Sequence, residues 1–145
     1  MTEQTRTELA AALLRVSLGT MYLAHSFILK FFTYGLSGTA AYFQSIGLPG
    51  WLAYVVFILE AAGGVFLILG IQTRWVALSL MPALIGAIVW AHGVNGWVFT
   101  APGGGWEYPA YLIVLSIAQF LLGDGAYALH RSSDIFAPSS REALS

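Results

Sequence analysis

The sequence contains no cysteine and few charged residues, and these two absences narrow the class of protein that it encodes. Without cysteine, the chain has no disulfide, no thiolate nucleophile and no Cys-ligated metal or iron–sulfur site. Only 9% of its 145 residues are charged, against about a quarter in soluble domains. Hydrophobic residues make up 58%, and the net charge of −1 gives no reason to expect a nucleic-acid partner. The composition therefore predicts a chain that resides in the lipid bilayer.

Four apolar segments predict an all-α integral membrane protein, a four-helix bundle that forms one domain over residues 1–145. Each segment is long enough, or nearly so, for a hydrocarbon core that takes about 20 helical residues to cross. No cleavable signal peptide is expected, because the first segment contains Arg15 and is too long for a signal-peptide core. The predicted spans cover about residues 9–32, 51–71, 74–93 and 108–123.

The arginines predict which ends of the spans face the cytoplasm. The two long connections, 33–50 and 94–106, contain neither Lys nor Arg, whereas the N-terminus, the short turn and the C-terminus carry arginines. By the positive-inside rule, both termini are cytoplasmic and both long connections face outward. Lys30, near the outward end of the first span, is the cation that disagrees. These features predict a multi-pass protein of the cell (inner) membrane.

Two segments outside the spans carry predictions of their own. The stretch SGTAAYFQSIGLPG in the first outward connection places Ala40 and Phe43 at helical spacing, which predicts a short interfacial helix. The charged tail from about residue 131 is expected to be mobile, because it has little to pack against.

Three stretches of the chain together resemble the DoxX family of small four-helix membrane proteins. They are LLRVSLGTMYLAHSFILKFF, GLPGWLAYVVFILEAAGGVFLILGIQTRWVAL and AHGVNGWVFTAPGGGWEYPAYLIVL, and the resemblance covers about residues 13–123. The family takes its name from a membrane subunit of a thiosulfate:quinone oxidoreductase. The resemblance therefore implies a membrane subunit of a redox system that binds quinone or a similar small molecule. A soluble or peripheral redox partner would supply the electrons, because the chain has no recognisable electron carrier of its own.

Charged side chains within the spans predict an inner polar layer. Arg15 shares one helical face with Tyr22, Ser26 and Lys30, so we expect that face to turn into the bundle. Arg15 lies roughly 9 Å inside the cytoplasmic end of its span, and Glu60 roughly 16 Å inside the same end of the second span. Because an unpaired charge costs at least about 2.5–3.5 kcal/mol in a membrane, we predict an Arg15–Glu60 ion pair. A structural pair that fixes helix register and a proton relay are both open interpretations.

Two other spans show faces of the same kind. In the second span, Glu60 shares a face with Gly63 and Gly64, whose small size lets another helix approach closely. In the fourth span, Ser116 and Gln119 lie on one face. Both faces are expected to point into the bundle.

The outward ends of the spans supply the residues that we predict to form a site. Ionisable groups at membrane depth are functional candidates by default, and proton-coupled chemistry needs an acid or a base. The candidate acid/base residues are His25, His92 and Glu107. The candidate contacts to quinone or a similar small molecule are Lys30, Asn95, Trp106 and Tyr108.

Five of these residues also have a structural interpretation. His25 and His92 are each as well explained by a hydrogen bond within the bundle. Lys30 could snorkel to the outer interface, and Trp106 and Tyr108 fit an aromatic belt at headgroup level. Two histidines are weak grounds for haem ligation, and no close-spaced pair of ligands predicts a metal site. The residues alone demonstrate no cofactor, and quinone follows from the resemblance.

Three functions are open at this point. The favoured one is the quinone-binding membrane subunit, which leaves it undecided whether the chain itself is an enzyme. The first alternative is a non-enzymatic membrane scaffold that recruits partners. The second is a small-solute carrier, which the matching Ala24-His25 and Ala91-His92 pairs and the helix-breaking Pro82 favour. Whether the chain forms a homo-oligomer is equally open.

Overall fold

The computed structural model describes residues 1–133, and all regular elements in these residues are helices. The predicted all-α class is therefore confirmed for the described part of the chain. Two of the helices continue into π-helical segments, in which the backbone hydrogen bonds run from residue i to residue i−5. In chain order the elements are α1 Glu3–Leu23 with its π extension Ala24–Thr33, α2 Gly35–Ser45, α3 Trp51–Leu69, α4 Thr73–Gly86 with its π extension Ala87–His92 and a 3₁₀ turn Gly93–Asn95, and α5 Glu107–Leu122.

Three of these helices are long and apolar enough to cross a membrane. They are Glu3–Thr33, Trp51–Leu69 and Thr73–Asn95, which match the first three predicted spans. Helix α5 is apolar but has only 16 residues, which gives a length of about 24 Å against a hydrocarbon core of about 30 Å. Its crossing, the count of four spans and the cytoplasmic position of both termini stay predictions.

Large apolar side chains are exposed along the outer faces of the helices. Leu13 of α1 is 69% exposed, Ile58 of α3 63% and Tyr111 of α5 62%. Exposure of this kind is costly in water and favourable in lipid. The helices therefore present a surface suited to contact with the bilayer, as the composition predicts.

Helices α1, α3, α4 and α5 pack side by side, with α1 against α3 and α5, and α4 against α3 and α5. Helix α2 lies against α3 and the π extension of α1. A helix is present where the first outward connection predicts one, and its interfacial position stays a prediction. The core between the helices is built from leucine, alanine and one tyrosine, namely Leu18, Tyr22, Leu67, Ala77, Leu80, Leu84 and Leu112.

Glycines let α3 approach two neighbours closely. A Cβ added at Gly64 would lie 2.9 Å from the carbonyl oxygen of Gly19, so α1 and α3 touch backbone to backbone there. A Cβ added at Gly63 would lie 2.9 Å from both terminal methyl carbons of Leu80 in α4. The predicted role of Gly63 and Gly64 as small residues at a helix interface is confirmed.

The segment after α5 folds back onto the turn between α3 and α4. The backbone N–H of His130 donates to the carbonyl of Gly70 at 3.1 Å, and the N–H of Thr73 donates to Asp124 at 2.9 Å. Asp124 also accepts from the backbone and the hydroxyl of Ser132. Burial on its own raises the pKa of Asp124, but the hydrogen bonds from Ser132 and Thr73 outweigh burial and lower it. A mobile tail is predicted from about residue 131. From residue 134 onward, this tail lies outside the residues that the structure describes.

Candidate functional site

The carboxyl group of Glu60 pairs with Lys30, and the predicted Arg15–Glu60 ion pair does not form. Glu60 lies in the middle of α3 and is 7% exposed. The Nζ atom of Lys30 lies 2.6 Å from its Oε2, and Ser26 donates to the same oxygen over 3.4 Å. Lys30 thus extends inward to a carboxylate, because a paired charge in a membrane costs far less than an isolated one.

Arg15 binds the end of α3 and not its middle. It is 2% exposed, and its Nη1 donates to the carbonyls of Leu67 at 3.0 Å and Ile68 at 2.7 Å. Its Nη2 donates to the carbonyl of Ala126 at 2.7 Å. The last carbonyls of a helix lack partners within the helix and carry its negative dipole end. Arg15 therefore caps α3 and fastens the segment after α5, about two helical turns away from Glu60.

His25 packs against Tyr108 at the end of the bundle where α5 begins. The two rings are nearly parallel, with an interplanar angle of 19° and centroids 5.9 Å apart. The Nδ1 atom of His25 lies 3.0 Å from the carbonyl oxygen of Met21. Since a carbonyl only accepts, Nδ1 carries the proton and Nε2 is the ring atom left to accept one. The structure thus brings together one predicted acid/base residue and one predicted contact residue.

His92, Asn95 and Glu107 hold the connection between α4 and α5 in place. His92 Nδ1 and Asn95 Nδ2 both donate to the carbonyl of Gly104, at 3.0 and 2.9 Å. The backbone N–H of Phe99 donates to Glu107 Oε1 at 2.8 Å. The Nδ1 atom of His92 therefore has a backbone partner within the protein. Glu107 is bound through one oxygen, which leaves its second oxygen for other contacts.

An aromatic groove lies beside the first turns of α5. Its volume is about 410 Å³, and apolar atoms make up most of its surface. The lining residues are Trp97, Phe99, Glu107, Tyr108, Ala110, Tyr111 and Val114. Trp106 does not line the groove but contacts its wall, since its ring meets that of Trp97 edge-to-face with centroids 4.5 Å apart. Of the predicted site residues, Glu107 and Tyr108 line the groove, and His25 lies against Tyr108.

Two π-helical segments lie at the same end of the bundle. Ala24–Thr33 contains His25 and Lys30, and Ala87–His92 ends at His92. Such segments are rare and occur frequently at functional sites. The described residues offer no group of three His, Asp or Glu side chains that could hold a metal ion.

A family model described as DoxX matches residues 10–93, which is more than half of the chain. The chain belongs to the DoxX family. It is 37% identical over 123 residues to "Putative oxidoreductase CatD" of Bacillus subtilis (strain 168), covering 84% of this chain and 85% of the relative. It is 32% identical over 106 residues to "Inner membrane protein YqjF" of Escherichia coli (strain K12), covering 67% of this chain and 73% of the relative. No solved structure gives a significant match.

Sequence reasoning missed part of the polar interior of this DoxX protein. The helical spacing predicts inward faces for Tyr22, Ser116 and Gln119 without indicating a role for them, and it does not single out Asp124. All four are buried, with Ser116 and Gln119 at 0% exposure. One signal could have identified Ser116 and Gln119: they place a hydroxyl and an amide three residues apart in an otherwise apolar helix.

Proposed function

We propose that this DoxX protein is the membrane subunit of a redox system and that its aromatic groove binds the headgroup of a quinone. The groove itself carries the proposal. Its volume of about 410 Å³ falls within the range of about 300–1,000 Å³ typical of small-molecule sites. Aromatic residues form most of its wall, and Tyr108 and Glu107 are the lining residues whose side chains carry oxygen atoms. A flat, mostly apolar ring with two carbonyl oxygens matches that lining.

Three side chains have distinct roles in this proposal. When bound, a quinone would itself be the redox carrier, because it takes up two electrons and two protons when it is reduced. The Tyr108 hydroxyl donates a hydrogen bond to one carbonyl oxygen, and the stacked ring of His25 fixes the orientation of Tyr108. In this proposal, the Nε2 atom of His25 and the second oxygen of Glu107 hold or release a proton. His92 and Asn95 act indirectly, by fastening the connection that carries one wall of the groove.

A partner and a location complete the proposal. The name of the Bacillus subtilis relative refers to an oxidoreductase, and that of the Escherichia coli relative to the inner membrane. We place this chain in the inner membrane as a multi-pass protein whose soluble or peripheral partner delivers the electrons. The absence of cysteine from the chain supports an external donor, because iron–sulfur clusters need thiolate ligands.

Quinone binding can be measured with a matched pair of tyrosine variants. Purified protein in lipid nanodiscs is titrated with a short-chain quinone analogue, and saturable quenching of tryptophan fluorescence reports binding. Tyr108 and Tyr54 are both 42% exposed, but only Tyr108 lines the groove. Tyr108→Ala should weaken binding by about tenfold or more, equivalent to about 1.4 kcal/mol. Tyr54→Ala, on the outer face of α3, should leave the affinity unchanged.

Two results would contradict this function. Equal affinities of the Tyr108→Ala variant and the wild type would remove the groove as the binding site. No saturable quenching by any quinone analogue would remove quinone binding itself and favour the scaffold alternative.

A further inference from the structure

The segment after α5, residues 124–132, forms a strap across the end of the bundle where α3 ends and α4 begins. The backbone N–H of Leu129 donates to the carbonyl of Leu69 at 3.1 Å. The N–H of His130 donates to the carbonyl of Gly70 at 3.1 Å, and the carbonyl of His130 accepts from the N–H of Gln72 at 2.9 Å. These bonds place the strap at the level of the helix ends.

The strap is also fastened to α1. Arg15 Nη2 donates to the carbonyl of Ala126 at 2.7 Å, and the N–H of Ala126 donates to the carbonyl of Glu8 at 2.9 Å. Ala128 packs on the α3–α4 turn, since a Cβ added at Gly70 would lie 2.7 Å from the Cα of Ala128. The strap therefore has a defined position on the bundle, with one side turned to the protein and the other turned away.

Small and large side chains alternate between these two sides. Ala126 and Ala128 are half-buried against the protein, whereas Tyr127 is 84% exposed and Leu129 71% exposed. A segment that folds onto a protein in water ordinarily turns its large apolar side chains inward and leaves polar ones outside. The strap has the reverse arrangement. Its outer side is therefore suited to apolar surroundings that the bundle itself does not provide.

The backbone of Tyr127 supports a role for its exposed ring. Its φ is +59°, in the left-handed region where a bulky residue is an outlier and where glycine or asparagine is accommodated more readily. The hydrogen bonds of Ala126 and Leu129 on either side hold this conformation. Backbone geometry alone thus favours another residue type here, and the ring is what tyrosine adds.

The outer side of the strap is continuous with the apolar surface of the spans. Leu69, which accepts from Leu129, is the last residue of a helix long and apolar enough to cross a membrane, and it is 40% exposed. At the same end, Leu122 of α5 is 43% exposed and Trp75 of α4 42%. The ends of spans lie near the headgroups, where tyrosine and tryptophan are enriched.

We propose that the strap is a membrane anchor, in which Tyr127 and Leu129 insert into the leaflet beside the α3–α4 turn. The partner is a lipid surface, because the outer side of the strap extends the surface that the spans present to the bilayer. The Tyr127 ring lies at the boundary between headgroups and acyl chains, and the Leu129 side chain contacts acyl chains. Insertion holds the strap on the turn and keeps the Ala126 carbonyl in place for Arg15.

The depth of the strap can be measured with spin labels, because the chain has no cysteine of its own. Tyr127→Cys and Leu129→Cys are each labelled in nanodiscs of phosphatidylethanolamine and phosphatidylglycerol. Collisions with oxygen report lipid, and collisions with a water-soluble nickel complex report water. Ile58→Cys, 63% exposed in the middle of α3, is the lipid reference. Glu3→Cys, about 18 Å along α1 from Arg15, is the water reference, and both strap labels should lie nearer the lipid reference.

Hydrogen exchange measures what insertion contributes to holding the strap. In the Tyr127→Asn/Leu129→Gln double variant, asparagine still tolerates the left-handed backbone while both apolar groups are lost. Exchange of the N–H groups of residues 129 and 130 should become faster by at least about tenfold, the change in opening equilibrium expected when one leucine-sized side chain no longer leaves water. Val94→Asn, 89% exposed in the 3₁₀ turn after α4, should leave these rates unchanged.

Two results would overturn the anchor. One is nickel accessibility at both strap positions as high as at the Glu3 reference, which would leave the outer side of the strap to an aqueous partner. The other is wild-type exchange at residues 129 and 130 in the folded double variant. Neither measurement involves quinone, so either failure would leave the proposed function of the groove intact.

Discussion

Removing one partner of the Lys30–Glu60 pair should destabilise the fold far more than removing both. Lys30→Met leaves Glu60 in the middle of α3 with only the 3.4 Å contact from Ser26. Glu60→Gln leaves the ammonium group without its 2.6 Å partner. The double variant has neither charge and keeps side chains of similar length, so its helices can pack as before.

The exposure of the two side chains sets the expected magnitude. They are 16% and 10% exposed, so the scale for exposed pairs, about 0.2–1 kcal/mol, does not apply. Breaking a buried pair costs about 3–5 kcal/mol in soluble proteins, and a single charge costs about 2.5–3.5 kcal/mol on membrane-insertion scales. We expect about 3 kcal/mol for Lys30→Met. The ammonium group of Lys30 can turn to the outer interface, so Glu60→Gln should cost less. The double variant should lie within about 1 kcal/mol of the wild type, because replacing both charges is often nearly neutral.

A double-mutant cycle measures this coupling directly. The free energy of unfolding is obtained by titrating the purified protein in mixed micelles with denaturing detergent. A second cycle with Arg15→Met and Glu60→Gln is the control, because Arg15 binds the carbonyls of Leu67 and Ile68 and not Glu60. That second cycle should be additive to within about 0.5 kcal/mol. Two results would refute the Lys30–Glu60 pairing. One is a Lys30–Glu60 coupling energy no larger than about 0.5 kcal/mol, and the other is an Arg15–Glu60 coupling energy larger than that of Lys30–Glu60.

Two further predictions concern packing and pH. Gly64→Ala should destabilise the protein by about 1–3 kcal/mol, because the new Cβ would lie 2.9 Å from the Gly19 carbonyl oxygen. Gly86→Ala is the control in the same unfolding assay and should be neutral or stabilising, because its Cβ meets nothing closer than 3.9 Å. Equal losses of unfolding free energy in the two variants would contradict the close approach of α1 and α3. The folded-state pKa of Asp124 is lowered from 3.8, so its ionised form contributes stability that is present above this value and is lost as the pH falls below it. Asp124→Asn should therefore make the unfolding free energy depend less on pH in the acid range. An unchanged pH dependence in this variant would show that the hydrogen bond from Thr73 does not depend on the charge of Asp124.

The helix faces of this chain could be predicted from the sequence because periodicity alone determines them. Arg15, Tyr22 and Ser26 recur at helical spacing, and all three are buried as expected. The glycines beside Glu60 likewise predict close helix contact, since a missing Cβ allows it in any register.

The ion-pair partner could not be predicted in the same way. Depth along ideal helices placed Arg15 within reach of Glu60, but spacing does not tell in which direction a long side chain extends. The π extension that carries Lys30 was also invisible in the sequence. In the structure, Lys30 extends inward to Glu60, and the carbonyls of Leu67 and Ile68 satisfy Arg15.

The histidines illustrate the same limit at the end of the bundle where α5 begins. The sequence places His25 and His92 at similar depth, which is a property of their position along each helix. Their partners depend on the folded connections: Tyr108 stacks on one ring, and the carbonyl of Gly104 accepts from the other. The aromatic groove arises from the path of residues 96–106, which contains several glycines with positive φ and follows no periodic pattern.

Photolabelling tests the central claim most directly. A photoreactive quinone analogue is bound to the protein in nanodiscs, illuminated, and mapped by mass spectrometry of the cleaved peptides, with excess unlabelled quinone as competitor. The groove predicts competable labelling in residues 97–99 and 107–114. Competable labelling confined to other helices, with none in these two segments, would contradict it.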